Sequence, residues 1–163
     1  MDATSLREPA PARNPVTIER TPGREVVVRR MFDAPPRLVF EAWTKPELFE
    51  QWWVPKSMGM TLHAVEMDAR TGGHYRLNFG DGMDFYGTYL EVTPPIRIVW
   101  TNDEGGENAS VTTVTLEEQD GRTLLVMREV FPSAEAYEAG AGAEDATHET
   151  FAQLDDLLAS LAG

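Results

Sequence analysis

Mostly apolar residues recur at the helical spacing of three to four positions near the end of the chain. From Ala143 to Leu161 they form one stripe: Thr147, Thr150, Phe151, Leu154, Leu157, Leu158 and Leu161. Polar side chains such as Glu149, Gln153 and Asp155 fall on the other side. This pattern predicts one amphipathic helix of about 17 residues, whose apolar stripe must be covered by the rest of the chain.

The middle of the chain alternates between apolar and polar residues, which is the period of a strand with one buried face. The clearest case runs from His74 to Phe79. Seven segments bounded by Gly, Pro, Asn or Asp are predicted as strands: Arg24–Phe32, Met60–Ala69, Gly73–Phe79, Met83–Val92, Ile96–Asn102, Ala109–Gln119 and Thr123–Phe131. Gly80-Asp81-Gly82 and Asp120-Gly121 are typical of hairpin turns, because glycine tolerates the positive φ that such turns need.

The segment Met83–Val92 contributes several large side chains to the predicted sheet. Phe85 and Tyr89 are four positions apart and therefore share one face of a regular strand, which we assign to the interior. By the same rule, the opposite face carries Tyr86, Leu90 and Val92.

Two short helices are predicted between the first two strands. Asp33 stands at the expected N-cap of the first helix, and prolines follow in the first turn, where a missing N–H costs nothing. The helix ends before Pro46, because proline disfavours helical backbone at the preceding Lys45. A second helix is predicted over Pro46–Trp52, and a further short helix over Ser133–Tyr137.

The order of these elements predicts an α+β fold in which helices cover one face of an antiparallel sheet. We expect a curved sheet of six to seven strands wrapped around the long C-terminal helix. Residues 1–22 contain four prolines and little apolar periodicity, which predicts a flexible N-terminal tail. Residues 23–163 then form a single domain, of a size that can bury a substantial core.

Charge and composition narrow the classes of partner. The chain has 14 Lys and Arg against 27 Asp and Glu, a net charge of −13 that nucleic-acid phosphates and anionic lipids repel. The chain has no cysteine, which excludes disulfides, thiolate metal sites and cysteine nucleophiles. No apolar run approaches a membrane span of about 20 residues, and the N-terminus lacks a signal-peptide pattern. We therefore expect a cytoplasmic protein that binds neither nucleic acid nor membrane.

Five short motifs occur in the order and spacing of a known family: Phe32-Asp33-Ala34-Pro35, Val39-Phe40-Glu41-Ala42-Trp43-Thr44, Gln51-Trp52-Trp53, Asp68-Ala69-Arg70-Thr71-Gly72-Gly73 and Gly87-Thr88-Tyr89-Leu90-Glu91-Val92-Thr93-Pro94-Pro95. The chain resembles the bacterial Hsp90 ATPase activator-like proteins from about Glu19 to Leu161. These proteins belong to the SRPBCC superfamily, with START domains, polyketide cyclases and birch-pollen-type allergens. The resemblance implies a helix-grip fold, with a long C-terminal helix that closes a curved sheet over a cavity, and a link to the stress response.

A curved sheet and a helix diverge between their contacts, so large side chains or a ligand must fill the gap. The candidates for lining a ligand cavity are Trp52, Trp53, Tyr75, Phe79, Phe85, Tyr89, Trp100, Met127 and Phe151. The same side chains can instead fill the core, and both interpretations stay open. Trp52 and Trp53 are adjacent at a helix end and cannot both face one core, so one indole is expected at the cavity mouth.

Polar candidates for the cavity are few. His74 and Arg76 share a strand face, and with Glu91 or Glu129 they can form a patch for an anionic or carbonyl-bearing ligand. The alternative is a solvated outer face with cross-strand ion pairs. The three histidines show no metal-binding spacing: His63, His74 and His148. No metal or cofactor is predicted.

Three functions follow from this sequence. The first is binding of a small apolar or amphipathic ligand between the sheet and the last helix. The second is a co-chaperone or other protein-interaction module, and the third is a cyclase-like or hydrolase-like enzyme that uses the same cavity. Neither a nucleophile elbow nor a Gly-rich phosphate loop occurs, so catalytic residues remain unassigned and a non-enzymatic role is expected.

Overall fold

A computed structural model describes residues 15–59, 62–80, 84–103, 109–139 and 146–162. Its strands form one antiparallel sheet in the spatial order β1, β2, β8, β7, β6, β5, β4, β3. Their bounds are Thr17–Thr21 (β1), Glu25–Phe32 (β2), Ala64–Met67 (β3), His74–Asn78 (β4), Asp84–Thr93 (β5), Arg97–Thr101 (β6), Val111–Gln119 (β7) and Arg122–Val130 (β8). The predicted helix-grip sheet is confirmed, with eight strands rather than six to seven.

The additional strand, β1, lies within the segment that the sequence predicts to be a tail. It pairs with β2, with Thr17 opposite Arg29 and Thr21 opposite Glu25. Four of its five residues are exposed, because β1 is an edge strand. The sequence signal is weak since only Ile18 is half-buried. Residues 1–14 of the predicted tail lie outside the described residues.

The helices in the described ranges are Pro36–Thr44 (α1), Pro46–Phe49 (α2), Ala134–Ala139 (α3) and Thr147–Ala162 (α4), and Lys56–Met58 forms a 3-10 turn. Helix α1 begins with proline and has no side-chain cap. The prediction that Asp33 caps α1 is wrong. The Asp33 carboxylate instead accepts a hydrogen bond from Arg122 Nε at 2.8 Å. Helix α2 is shorter than predicted and ends before the two indoles. None of the helices within the described ranges is long and apolar enough to cross a membrane.

Helix α4 packs its apolar stripe against the sheet and α1. Phe151, Leu154 and Leu158 are buried, and the Phe151 ring meets the edge of Phe32 at a centroid distance of 5.3 Å. The helix begins four residues after the predicted start, and residues 140–145 are outside the described part of the chain. Arg30 of β2 reaches α4 and forms a bidentate ion pair with Asp155, at 2.8 and 2.5 Å. This pair fixes the helix to the sheet.

A bulge in β5 changes which side chains face the interior. Tyr89 pairs with Trp100 and Glu91 with Val99, so Leu90 is the extra residue and is half exposed. Beyond the bulge, Val92 packs against the core. The prediction that Val92 shares a face with Leu90 is therefore wrong, because a bulge shifts the period-two alternation by one residue.

Candidate functional site

A cavity of about 300 Å³ lies between the first two helices and strands β3 to β6. We call it the aromatic cavity, because seven of its eleven lining residues carry aromatic rings. The lining residues are Trp43, Phe49, Trp53, Met67, Tyr75, Leu77, Phe85, Tyr89, Ile98, Trp100 and Asn102. Alternation along β4, β5 and β6 places Tyr75 with Leu77, Phe85 with Tyr89, and Ile98 with Trp100 on this face.

The aromatic rings form a connected wall. Phe49 and Trp53 stack at a centroid distance of 4.8 Å with an interplanar angle of 26°. Trp43 contacts Trp53 at 5.9 Å and Trp100 at 5.8 Å. Such pairs add specific ring geometry to simple apolar burial. Phe85 is 37% exposed and so marks the opening of the cavity to solvent.

Gly87 lets the Tyr75 ring cross β5. A Cβ atom at this position would lie 2.8 Å from the Tyr75 hydroxyl oxygen and 1.8 Å from the Thr101 carbonyl oxygen. The Tyr75 hydroxyl donates a hydrogen bond to that carbonyl at 2.8 Å. Burial, with a contribution from the Asp68 carboxylate, raises the pKa of the Tyr89 phenol well above its usual range. Tyr89 therefore presents an uncharged hydroxyl at neutral pH.

A second cavity of about 260 Å³ lies between α4 and the strands β2, β7 and β8. We call it the helix cavity. Its lining residues are Val26, Val28, Trp53, Pro55, Trp100, Asn102, Thr112, Met127, Glu129, Ala146, Thr147, Thr150 and Phe151. Trp53, Trp100 and Asn102 line both cavities and thus form the wall between them.

Asn102 organises the polar part of this shared wall. Its Oδ1 accepts a hydrogen bond from Trp100 Nε1 at 3.2 Å, and it shares the Tyr75 hydroxyl proton with the Thr101 carbonyl oxygen, at 3.2 Å from the phenol oxygen. Its amide nitrogen donates to Ser110 Oγ at 2.8 Å and to Thr112 Oγ1 at 3.1 Å. With every side-chain hydrogen-bonding function engaged, Asn102 holds both aromatic side chains in place.

The same network reaches a carboxylate in the helix cavity. The Ser110 hydroxyl donates a hydrogen bond to Glu129 Oε2. Glu129 is on the inner face of the sheet because it is opposite Val26 and Thr112, which also line this cavity. The polar wall therefore runs from a phenol beside one cavity to a carboxylate in the other.

Gln153 of α4 holds the chain segment that carries Trp53. Its amide nitrogen donates to the carbonyl oxygens of Trp52 at 3.0 Å and Val54 at 2.9 Å, and its Oε1 accepts from the Lys56 backbone N–H at 2.9 Å. We refer to residues 52–57 as the strap. Because three hydrogen bonds join the strap to α4, the position of the Trp53 indole depends on the last helix.

Glu149 makes a further contact between α4 and the strap. Its carboxylate accepts hydrogen bonds from the Ser57 hydroxyl at 2.5 Å and the Ser57 backbone N–H at 2.9 Å. These two hydrogen bonds lower the pKa of Glu149, which is half-buried. Because the folded-state pKa is lowered, the contact stabilises the fold fully above the ordinary pKa of glutamate. Its contribution is lost as the pH falls through the folded-state value.

Replacing Ser57 by alanine is expected to raise the pKa of Glu149 toward its ordinary value, because the side-chain hydrogen bond is the larger cause of the shift. A carbon-detected NMR titration of the carboxyl groups measures this change. Glu91 provides an internal control, since Thr93 and Arg97 lower its pKa on the opposite side of the sheet. An unchanged Glu149 titration in Ser57→Ala would contradict the proposed contact.

The residues proposed from sequence to line a cavity fall into three groups. The aromatic cavity contains Trp53, Tyr75, Phe85, Tyr89 and Trp100, and the helix cavity contains Trp53, Trp100, Met127, Glu129 and Phe151. Trp52 lines neither cavity, because it is fully buried and its Nε1 donates to the Ala42 carbonyl oxygen at 2.9 Å. Phe79 also lines neither and packs edge-on against Phe85, at a centroid distance of 5.4 Å.

Three of the four polar cavity candidates lie outside both cavities. His74 Nδ1 is 3.3 Å from Thr88 Oγ1, and Arg76 forms an exposed ion pair with Asp84 at 3.0 Å. His74 and Arg76 flank Tyr75 on β4. Because Tyr75 faces the interior, these two side chains lie on the outer face of the sheet. Glu91 follows the β5 bulge and forms an ion pair with Arg97 at 3.1 Å. Glu91 and Glu129 therefore do not join His74 and Arg76, which instead line a polar surface pocket together with Glu66 and Asp68.

Sequence reasoning missed three polar residues that the structure brings together in the wall between the cavities: Asn102, Ser110 and Thr112. Each stands alone in the sequence, and only the pairing of β6, β7 and β8 makes them neighbours. The sequence did contain one signal: Glu129 is two positions after the inward-facing Met127, so both side chains are expected on the same face of the strand. Across the described ranges, no group of three or more His, Cys, Asp or Glu residues is arranged to hold a metal ion.

The fold has many relatives among solved structures. A crystal structure of a Rhodobacter sphaeroides protein is 27% identical, with 90% of this chain and 99% of that chain covered and a TM-score of 0.76. A solution NMR structure from Staphylococcus epidermidis is 29% identical, covers 88% of this chain and 94% of that chain, and has a TM-score of 0.70. A Chromobacterium violaceum protein is 29% identical, with coverages of 82% and 96% and a TM-score of 0.61.

The comparison with protein families is more specific. No curated protein matches the chain significantly. A family model described as "Activator of Hsp90 ATPase homolog 1-like protein" matches residues 33–162. This range includes α1, α4 and all the strands that line the two cavities except β2. The chain therefore belongs to the family of proteins that resemble activator of Hsp90 ATPase homolog 1.

Proposed function

We propose that this protein binds a small, largely apolar ligand in the aromatic cavity. The observation that carries the proposal is a volume of about 300 Å³ lined by seven aromatic side chains and open at Phe85. Protein interiors otherwise pack to crystal-like density, with few voids larger than a water molecule. A cavity of this size with a few placed polar groups is typical of a small-molecule site.

The walls of the cavity resist collapse, which supports binding over simple underpacking. Trp43 is held from behind by the buried Trp52, at a centroid distance of 4.8 Å. Tyr75 and Trp100 are hydrogen-bonded to Asn102. Filling the space by rearrangement would break these contacts, whereas an apolar ligand gains burial without disturbing them.

The test is calorimetric titration with naphthylmethanol, a flat neutral probe that suits the cavity. Met67→Trp places an indole in the aromatic cavity from β3 and should weaken binding at least about tenfold, since the added ring takes the ligand's space. Leu90→Trp is the matched control, because Leu90 is half exposed at the β5 bulge. Its affinity for the probe should stay at the wild-type value.

Two outcomes would overturn the proposal. One is the absence of saturable binding by the folded wild-type protein. The other is equal affinity of Met67→Trp and Leu90→Trp, with both variants shown to be folded by circular dichroism, because the probe would then bind outside the cavity.

A further inference from the structure

The Tyr89 hydroxyl makes no hydrogen bond within the described part of the chain, although Tyr89 is only 4% exposed. Its ring contacts Tyr75 at a centroid distance of 5.7 Å. Among the side chains that the structure describes, Trp43 Nε1 is the buried nitrogen or oxygen that is both unpaired and inaccessible. The unpaired Tyr89 oxygen is therefore still accessible. Tyr89 lines the aromatic cavity but neither the helix cavity nor the polar surface pocket, so a partner reaches it from the aromatic cavity.

The other polar groups of this lining are either engaged or able only to donate. The Tyr75 hydroxyl and Trp100 Nε1 both donate to Asn102, whose amide nitrogen donates in turn to two hydroxyl oxygens. The Trp53 indole N–H has no partner among the described residues, and an indole nitrogen cannot accept. The free hydrogen-bonding groups of the lining are thus an O–H and an N–H. A ligand that satisfies them must bring the acceptor.

A phenol is better suited to donate a hydrogen bond than to accept one. Its oxygen lone pair is delocalised into the ring, so the oxygen is a weaker acceptor than that of an aliphatic alcohol. Because burial and the Asp68 carboxylate raise the pKa of Tyr89, the proton stays on the oxygen at neutral pH. A polar group that is removed from water without a partner costs free energy. An acceptor atom on a ligand would remove this cost.

The lining also favours a ligand without charge. The side chains that form the aromatic cavity include no Asp, Glu, Lys, Arg or His. A carboxylate or an ammonium group in this space would lose its hydration without gaining a counter-charge. A neutral carbonyl oxygen accepts a hydrogen bond at a much smaller desolvation cost.

We propose that Tyr89 determines the specificity of the aromatic cavity, and that the ligand class is a neutral, flat apolar compound with a carbonyl oxygen, such as a ketone or an ester. The Tyr89 O–H donates to the carbonyl oxygen, and the surrounding rings cover the apolar body. This inference rests on the proposed function, because it assigns a ligand class and a hydrogen-bond donor to the same cavity. A hydrocarbon of the same shape leaves the hydroxyl unpaired and is selected against.

Two probes of nearly equal shape test this inference. Methyl naphthyl ketone carries a carbonyl group, and isopropenylnaphthalene carries a carbon–carbon double bond in its place. Both are titrated against the wild type and Tyr89→Phe, which removes the hydroxyl and keeps the ring. The loss of one neutral hydrogen bond predicts that the ketone binds Tyr89→Phe about fivefold to tenfold more weakly than the wild type. The affinity for the hydrocarbon should not fall.

Tyr86→Phe is the matched control. Tyr86 is on the same strand, but it is 40% exposed and lines the polar surface pocket. The variant therefore removes a hydroxyl group outside the aromatic cavity, and both affinities should equal those of the wild type. Tyr89→Phe is expected to fold, because the hydroxyl that it lacks has no partner in the described structure.

Infrared spectroscopy of the bound ketone, with an isotope label in its carbonyl group, detects the hydrogen bond itself. Donation from a phenol weakens the carbon–oxygen double bond, so the carbonyl stretch should lie at a lower frequency in the wild type than in Tyr89→Phe. In Tyr86→Phe the frequency should be that of the wild type. A change in cavity shape alone does not produce this pattern.

The outcomes separate this inference from the proposed function. The ligand class is wrong if folded Tyr89→Phe binds the ketone as tightly as the wild type, or if it loses affinity for both probes equally. It is also wrong if the carbonyl frequency is the same in both proteins, or if naphthylmethanol binds but the ketone does not. In each of these cases the cavity function stands. If naphthylmethanol and both probes fail to bind the folded wild type, the proposed function itself is wrong.

Discussion

Replacing Phe151 by alanine is expected to lower the free energy of unfolding by about 3–5 kcal/mol, the usual cost of removing a buried aromatic ring. Phe151 is 1% exposed and meets Phe32 edge-on, with Trp52 at a centroid distance of 6.3 Å on another side. The substitution leaves a void at the contact between α4 and the sheet, which the rigid neighbours fill only in part. Urea denaturation of the two proteins measures the difference.

Leu161→Ala is the matched control for this prediction. Leu161 is on the same helix but is 37% exposed, so its loss should cost less than about 1 kcal/mol. A loss below about 1 kcal/mol for Phe151→Ala as well would contradict the burial of the helix stripe.

Replacing Asp155 by alanine is expected to cost about 2–4 kcal/mol, because it leaves the Arg30 guanidinium buried without its carboxylate partner. The Arg30 side chain is 7% exposed and that of Asp155 is 37% exposed, which places the cost below that of a fully buried pair. Arg30 would keep its hydrogen bond to the Phe151 carbonyl oxygen at 3.4 Å and its position 4.6 Å from the centre of the Phe32 ring.

The double variant Arg30→Met with Asp155→Ala separates the lost attraction from the cost of a stranded charge. Removing both charged groups should restore part of the stability lost in Asp155→Ala, since methionine fills the space without a desolvated cation. Thermal and urea denaturation of the wild type, the single variant and the double variant give the comparison. A double variant that is less stable than Asp155→Ala would show that the arginine is not stranded there.

The helix and most strands could be predicted because their signals are local. The stripe through Phe151, Leu154 and Leu158 needs only the helical period, and the inward Tyr75 and Leu77 need only the strand period. The β5 bulge has no comparable signal. In the sequence Leu90 looks like an ordinary strand residue. Because it is the extra residue of the bulge, Val92 faces the interior instead of the outer side.

The candidate site was predictable only in part, for a related reason. Large aromatic side chains were correctly expected near the junction of sheet and helix, but the two adjacent indoles separate: Trp52 enters the core, while Trp53 borders both cavities. The Asn102, Ser110 and Glu129 network depends on the register of three strands. Register is a tertiary property, and isolated polar residues do not reveal it in the sequence.

The structure also explains how α4 can influence the cavities at a distance from its apolar stripe. Gln153 and Glu149 lie on the polar side of the helix, which the sequence alone assigns to solvent. They instead bind the strap and so fix Trp53. Polar positions next to an apolar stripe can therefore determine the shape of a binding site.

The most direct test of ligand binding between the sheet and the helices is an NMR titration of the indole N–H groups. The chain has four tryptophans, and three of them line a cavity. On addition of naphthylmethanol, the resonances of Trp43, Trp53 and Trp100 should shift most, and that of Trp52 least. Unshifted resonances for the three cavity indoles at saturating probe, or the largest shift at Trp52, would contradict binding in the aromatic cavity.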